Sequence, residues 1–198
     1  FKDQTEVLIR TREAARIVGG TPLDRPEDVE RDPRTGSMYI TLTNNKPKGN
    51  FHGSILKIEE ENSDSGSMQF KASTFLVGGK DSGFSCPDNL VFDHHGDLWM
   101  ASDIAGDAMG NKPYDAFGNN GLFYIPMSGP QAGEVMQVAS APKDAEFTGP
   151  CFSKDGKTLF LSVQHPGETS ESIDKLTSHW PDGGSAIPKP SVIAIEVG

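Results

Sequence analysis

The segment RPEDVERDPRTGSMYITLT, residues 25–43, consists of two apolar-rich runs joined by a turn. Two later segments have the same form: CPDNLVFDHHGDLWMASD at 86–103 and FTGPCFSKDGKTLFLSV at 147–163. The turn glycines of the three segments follow one another at intervals of 60 residues: Gly36, Gly96 and Gly156. A fixed period of tens of residues built from short strands is typical of propeller blades.

Each period contains further strand-like runs after the repeated segment. They lie at 53–60 and 68–79 in the first period, at 120–127 and 133–142 in the second, and at 190–198 in the third. Each run alternates apolar and polar residues and is flanked by Gly, Pro, Asn or Asp. The sequence therefore predicts four strands in each of the first two blades and three in the last.

The predicted organisation is a single region over 1–198, with one helix at about 4–18 before the blades. The blades are predicted at about 25–79, 86–142 and 147–198, which gives an all-β fold of about three four-stranded β-propeller blades. Three blades do not close a ring, because closed propellers typically have about four to eight. Since the chain starts at Phe1, we expect a processed product or an excised fragment, or else two copies that complete one ring.

The composition limits the partners. The formal net charge of −10 and a pI near 4.9 argue against nucleic acid and against anionic membrane surfaces. No run of about 18 apolar residues is present, so no membrane span is predicted. The two cysteines, Cys86 and Cys151, have no zinc or redox spacing, and we expect buried free thiols rather than a disulfide.

Acidic residues recur where the innermost strand of each blade begins. Aligned on the turns, Glu27 matches Asp88, and Thr148 falls at the same level with Glu146 just before it. Innermost strands start near the central tunnel, so these side chains are expected to converge there. Carboxylates without matching cations repel one another, whereas hard cations such as Ca²⁺ take six to eight oxygen ligands. The alternative is that these acids cap strand ends in solvent.

Three further features carry possible chemistry. Arg25 lies on the same face of an extended strand as Glu27, where a guanidinium suits phosphate or carboxylate, although a surface salt bridge explains it as well. His165, in VQHPGE, is a candidate acid or ligand at the tunnel rim, or an ordinary loop histidine. The turn 93–96, DHHG, is predicted to be a solvated turn, and no motif supports serine nucleophile chemistry.

Several motifs together resemble the C-terminal half of the PhoX-type alkaline phosphatases, in that family's order. They are RPEDVE…TGSMYITLTNN, PDNLVFDHHGDLWMASD, FGNNGLF, EFTGPCFSKDGKTLFLSVQHPGE and SHWPDGG. The resemblance implies a six-bladed propeller, of which this chain is half. It also implies a secreted or periplasmic phosphomonoesterase, exported folded, that uses Ca²⁺ and Fe³⁺ and takes small phosphate esters.

The resemblance also implies roles for particular residues. Glu27 matches a metal ligand, and Arg25 matches a contact to the substrate phosphate that supports charge on the phosphorus during metal-assisted hydrolysis. The resemblance also matches Asp88, Asn89, Glu30 and Glu146 to metal-binding residues. Thr148 and His165 are candidate substrate contacts from their place at the predicted tunnel rim. The family's iron-bridging cysteine and several acidic ligands belong to its N-terminal half, so we expect the isolated chain to be inactive or weakly active.

Two alternative functions fit the residues. A calcium-dependent propeller lactonase also lines its tunnel with Glu, Asn and Asp, but around a single ion. A non-catalytic propeller binding module would use the same acids to hold calcium for stability only. A homodimer that completes a ring is compatible with all three functions.

Overall fold

In the computed structural model, which describes residues 1–197, three antiparallel sheets follow one another along the chain. The first sheet has the order β1-β2-β3-β4: Pro26–Arg31, Met38–Leu42, Ser54–Glu60 and Phe70–Val77. The second has the order β5-β6-β7-β8: Pro87–Phe92, Leu98–Ser102, Gly121–Ile125 and Met136–Ser140. The third has the order β9-β10-β11: Glu146–Phe152, Thr158–Gln164 and Ser191–Glu196. Sequential antiparallel strands in separate sheets are propeller blades, so the predicted all-β fold is confirmed.

The N-terminal segment contains two short helices, α1 (Gln4–Ile9) and α2 (Thr11–Ile17), where the sequence predicted one. The break lies at Arg10, whose φ of −106° and ψ of 37° leave the helical region. The Thr11 hydroxyl donates to the Leu8 carbonyl, and such a bond competes with the regular helical ladder. Neither helix has a buried residue, so packing does not oppose the break.

The hydrophobic core lies between neighbouring blades rather than at one centre. Tyr39 and Ile55 of the first blade pack in one cluster with Leu98 and Met100 of the second. A second cluster joins the second and third blades through buried residues of both: Trp99, Leu122, Phe147, Leu159, Leu161 and Val163. Each blade therefore buries its apolar face only when the adjacent blade is present.

The tight turns between the first two strands of each blade contact one another. Arg34, in the turn of the first blade, donates to the Gly96 carbonyl of the second at 2.5 Å. His94 Nε2 lies 3.1 Å from the Lys154 carbonyl of the third blade. His94 is therefore not simply solvated, as the sequence suggested for this turn, but links two blades. The acid of this turn is also structural, since Asp93 accepts the Trp99 indole N–H at 3.0 Å.

Both cysteines are free thiols, as predicted. Cys86 is buried, but Cys151 is exposed, so the prediction of two buried thiols is wrong for Cys151. Cys151 directly follows an irregularity in β9, where Gly149 has φ of +60° and the strand does not continue its regular alternation.

Candidate active site

The innermost strands β1, β5 and β9 lie side by side, with β1 against β5 and β5 against β9. Each has an irregularity in its pairing with the next strand of its blade, and in each the innermost strand contributes the extra residue. The residues in the three bulges are Glu27–Asp28, Asp88–Asn89 and Gly149–Pro150. A bulge bends the strand and changes the direction of its side chains. All three blades therefore re-orient side chains near the start of their innermost strand.

The register corrects the alignment of the third blade. Thr148 pairs with Ser162 of β10, as Pro87 pairs with Ser102 of β6, so Thr148 precedes the bulge instead of lying in it. Gly149 therefore stands level with Asp88. Acids therefore recur at this position in two blades and not in three. The sequence alignment misplaced Thr148 because counting back from the turn does not detect the position of a bulge.

The second residue of each acidic bulge joins neighbouring blades. Asp28 Oδ2 accepts the backbone N–H of Leu90 in β5 at 2.8 Å. Asn89 Oδ1 accepts the Thr148 hydroxyl at 2.6 Å and the Gly149 N–H at 2.9 Å. The oxygen of Asn89, predicted to bind metal, is thus bonded to β9.

Arg25 is held in an unusual backbone conformation immediately before β1. Its φ is +54°, and Cys86, at the equivalent position before β5, has φ of +52°. The Thr43 N–H donates to the Arg25 carbonyl at 3.0 Å, which ties this conformation to the end of β2. Left-handed backbone at a residue other than glycine costs energy and is often found at functional sites.

The Arg25 guanidinium contacts the first acid of the site. Its Nη2 lies 3.3 Å from Glu27 Oε1, and both side chains are partly exposed, at 54% and 39%. The salt bridge weighed as an alternative is therefore formed. It leaves guanidinium N–H groups accessible to a ligand, because one carboxylate oxygen occupies one of five donors.

Asp88 lies in a strongly negative environment. Its pKa is raised to about 6, first by burial and then by the charges of Asp103, Glu27 and Asp28, while Arg25 opposes the shift. The five groups therefore lie within electrostatic reach of one another. Glu27 and Asp88 are therefore close enough for their charges to interact, and their role as metal ligands stays a prediction.

Glu146 is the most perturbed acid of the chain. Burial raises its pKa to about 9, reinforced by a hydrogen bond to Asp103 and by the charges of Asp103, Asp88 and Glu168. Gln164 Nε2 donates to Glu146 Oε1 at 2.5 Å, which fixes the carboxyl group at the end of β10. A buried acid that shares its surroundings with three others is expected to remain protonated at neutral pH unless a cation is bound.

His165 lies between two of these acids. Its Nε2 is 3.3 Å from Glu146 Oε1, and its Nδ1 is 3.6 Å from Glu168 Oε2. The φ of His165 is +39°, and among residues 1–197 its buried Nδ1 has no hydrogen-bond partner. The structure thus places the predicted His165 beside Glu146. We call the set Arg25, Glu27, Asp88, Asp103, Glu146, His165 and Glu168 the mouth cluster.

Some residues of the site were missed or misjudged from the sequence. Asp103 and Glu168 supply two of the three negative charges that raise the pKa of Glu146, although the sequence analysis named neither as a candidate site residue. Asp103 is the last residue of the repeated segment of the second blade and aligns with Thr43 of the first, so the acid is not repeated and the alignment did not mark it. Glu30 lies farther along β1, where burial and the charge of Asp28 raise its pKa, and it is not among the charges that shift Asp88 or Glu146.

No metal-binding group is preformed in the described part of the chain. Within residues 1–197, no three His, Cys, Asp or Glu side chains stand close enough together to hold an ion. The mouth cluster is therefore an electrostatic assembly of acids whose oxygens are spread around the start of the innermost strands.

Three successive blades with acids at the start of the innermost strands define a partial β-propeller with an acidic mouth. The family model described as alkaline phosphatase PhoX matches residues 1–167, and this chain belongs to that family. A solved structure of Pseudomonas fluorescens PhoX in complex with vanadate, a transition state analogue, matches with a TM-score of 0.86 and 34% identity. The match covers 99% of this chain and 37% of that chain. No curated protein matches.

Proposed function

We propose that this chain forms part of a metal-dependent phosphomonoester hydrolase. The observation that carries the proposal is Arg25 beside Glu27 in a group of acids that raises the pKa of Asp88 to about 6. A guanidinium can bind two oxygens of a phosphate, whereas the acids alone would repel it. Cations bound by the acids would reverse the local field and allow a dianionic ester to enter.

The donor chemistry of the mouth cluster fits hard cations. Its oxygens come from carboxylates, the ligands that Ca²⁺ prefers and that Fe³⁺ also accepts. Burial, and after it the charges of neighbouring acids, raises the pKa values of Asp88 and Glu146, and a bound cation would relieve that repulsion. We propose that Glu27, Asp88 and Glu146 supply part of the ligands of bound Ca²⁺ and Fe³⁺, with Asp103 as a further candidate.

The residues of this chain would have different roles in the reaction. When bound, the cations would neutralise the phosphate oxygens and make the phosphorus more electrophilic. Arg25 would orient the ester through its free N–H groups and stabilise the charge that grows on the equatorial oxygens. His165, whose Nε2 lies 3.3 Å from Glu146 Oε1, would contact the substrate. Thr148 and Asn89, which bond to each other, would hold β5 against β9, and Glu30 would support the site from β1.

The alternatives are less well supported. A lactone carries no phosphate, so a lactonase does not account for Arg25 in contact with Glu27. A binding module that holds calcium only for stability does not require a partly exposed guanidinium beside the acids. Membership of the alkaline phosphatase PhoX family also favours hydrolysis of phosphate esters.

The proposal includes a periplasmic or secreted location, supported by family membership alone. No helix within residues 1–197 is long and apolar enough to cross a membrane. It also includes a homodimer that completes a ring, since the blades at both ends expose apolar residues such as Val29 at 56% and Val192 at 69%. Analytical ultracentrifugation tests this part, and a monomer at all concentrations would contradict it.

A phosphate-binding measurement with a matched arginine variant tests the proposed function. Isothermal titration of inorganic phosphate into the Ca²⁺-loaded and Fe³⁺-loaded chain is compared for wild type, Arg25→Gln and the control Arg12→Gln, an exposed helical residue. We expect Arg25→Gln to weaken binding about tenfold or more, since charge-assisted hydrogen bonds contribute about 1.5–3 kcal/mol. Equal phosphate affinity in all three proteins would refute the role of Arg25. In a full-length context, Arg25→Gln should lose hydrolysis of p-nitrophenyl phosphate, whereas Arg12→Gln should keep it.

A further inference from the structure

A cavity of about 1040 Å³ lies between the loop that joins the first two blades and the outer part of the second blade. Its wall comes from the loop before β5, the long loop between β6 and β7, and the outer strand β8. The lining contains none of the mouth-cluster residues. Ile104 of the lining also belongs to a packed cluster with the buried residues Cys86 and Tyr114. The cavity is therefore a second concave site whose lining is not shared with the acids.

The floor of the cavity is made of buried, fixed groups. Ser85 is 1% exposed, and its Oγ lies 2.9 Å from His52 Nδ1. Ser102 is 2% exposed and accepts the Gly121 N–H at 3.0 Å. The apolar part of the floor includes Phe123, which is 4% exposed. Polar groups that are already oriented in the protein recognise a ligand with little loss of entropy.

Aromatic rings stand beside these polar groups. The His52 ring lies 5.6 Å from the rings of both Tyr114 and Phe117, so it is held between loop and blade. Burial lowers the pKa of His52, which favours its neutral form. A neutral imidazole offers one donor and one acceptor, a combination that suits hydroxyl groups.

The charges at the rim balance. Lys80 and Asp115 line the cavity, and apart from His52 they are its only ionisable residues. Amides and hydroxyls make up the other polar lining: Asn119, Gln137, Ser85, Ser102 and Ser140. In a chain of net charge −10, a neutral cavity without an excess of cations does not favour phosphate or another anion. It favours an uncharged ligand with many hydroxyls and an apolar face.

We propose that this cavity binds a neutral carbohydrate of one or two rings. The hydroxyls of the sugar would bond to Asp115, Asn119 and the Ser85–His52 pair, and one C–H face would lie against Phe117. The volume suits such a ligand, since small-molecule sites measure about 300–1,000 Å³. This inference is independent of the proposed phosphatase function, because the two sites share no residue.

Titration of neutral sugars into the isotopically labelled chain tests the proposal. The probes are glucose, galactose, mannose, maltose and lactose, followed by amide shifts in NMR spectra, with adenosine and inorganic phosphate as competing probes. We expect saturable shifts for at least one sugar at residues 83–85 and 115–119, with the mouth cluster unaffected. Shifts caused only by adenosine or by phosphate, or no saturable shift with any sugar up to 50 mM, about the weakest affinity worth measuring, would overturn the proposal.

Two variants separate recognition from folding. Asp115→Ala removes a rim acceptor and should weaken sugar binding about tenfold, as expected for a hydrogen bond to a charged group. Asp107→Ala is the matched control, since Asp107 is exposed in the same loop but does not line the cavity. Gly118→Leu adds volume where the backbone leaves open space, and it should block binding while the chain stays folded. Unchanged affinity in both Asp115→Ala and Gly118→Leu would exclude this cavity as the sugar site.

Discussion

Replacing Glu146 by Gln should stabilise the metal-free chain. The pKa of Glu146 is about 9 in the folded protein, against an ordinary value of 4.5, chiefly because of burial and of Asp103. Between these two pH values the unfolded chain releases a proton that the folded chain retains. The free energy of unfolding therefore falls as the pH rises from about 4.5 to 9. A glutamine keeps the oxygen that accepts from Gln164 and does not ionise.

The size of the effect follows from the pH interval. At pH 7.5 the full shift would correspond to about 4 kcal/mol, since each pKa unit is about 1.36 kcal/mol. Charges in a partly hydrated mouth are screened, which reduces the effect, so we expect a gain of about 1–3 kcal/mol. At pH 5 the gain should shrink to a few tenths of a kcal/mol, because Glu146 is then protonated in the folded chain and still about one quarter protonated in the unfolded chain.

Urea denaturation in the presence of a chelator, at pH 5 and at pH 7.5, measures this difference. Glu134→Gln is the control, because Glu134 is exposed in the loop before β8 and should show no gain at either pH. A Glu146→Gln protein that is no more stable than wild type at pH 7.5 would refute the reasoning. An equal gain at both pH values would also refute it, since it would then reflect packing and not ionisation.

Three further predictions follow from the contacts that hold the blades together. Asp28→Ala removes the acceptor of the Leu90 N–H between β1 and β5 and should lower the free energy of unfolding by about 1–3 kcal/mol. Asp28→Asn keeps an acceptor oxygen and should retain most of the wild-type stability, and chemical denaturation compares the two variants. Leu161→Ala opens a cavity at a fully buried position between the second and third blades and should cost about 2–5 kcal/mol by the same assay. His94→Ala removes the link to the Lys154 carbonyl and should cost no more than about 1 kcal/mol, but hydrogen exchange at the turn of the third blade should become faster.

The blade repeat was predictable from the sequence because its signals are local. Turn residues such as Gly36 and Gly96, whose φ values are +77° and +79°, mark the hairpins directly. Apolar alternation then identifies the strands between them. The helix break at Arg10 was not predictable from the sequence. It coincides with a bond from the Thr11 hydroxyl to the Leu8 carbonyl, in a segment whose helices have no buried residue to favour one conformation.

The candidate site was only partly predictable for a different physical reason. Glu27 and Asp88 stand at the same repeat position, and a repeat alignment brings them together without a structure. Thr148 was misplaced because a bulge adds a residue that a count does not reveal. Glu168 lies in the loop after β10, outside any repeat, and its link to Glu146 runs through the His165 side chain, which contacts both acids.

The metal content of the purified protein tests the central claim most directly. Elemental mass spectrometry is performed on chain prepared without chelator and without a metal-affinity step, before and after equilibration with Ca²⁺ and Fe³⁺. The proposed function predicts bound calcium and iron, with stoichiometry reduced in a Glu27→Gln, Asp88→Asn double variant but not in the exposed control Glu134→Gln. Absence of both metals after equilibration, or equal metal content in all three proteins, would contradict the assignment of the mouth cluster as a metal site.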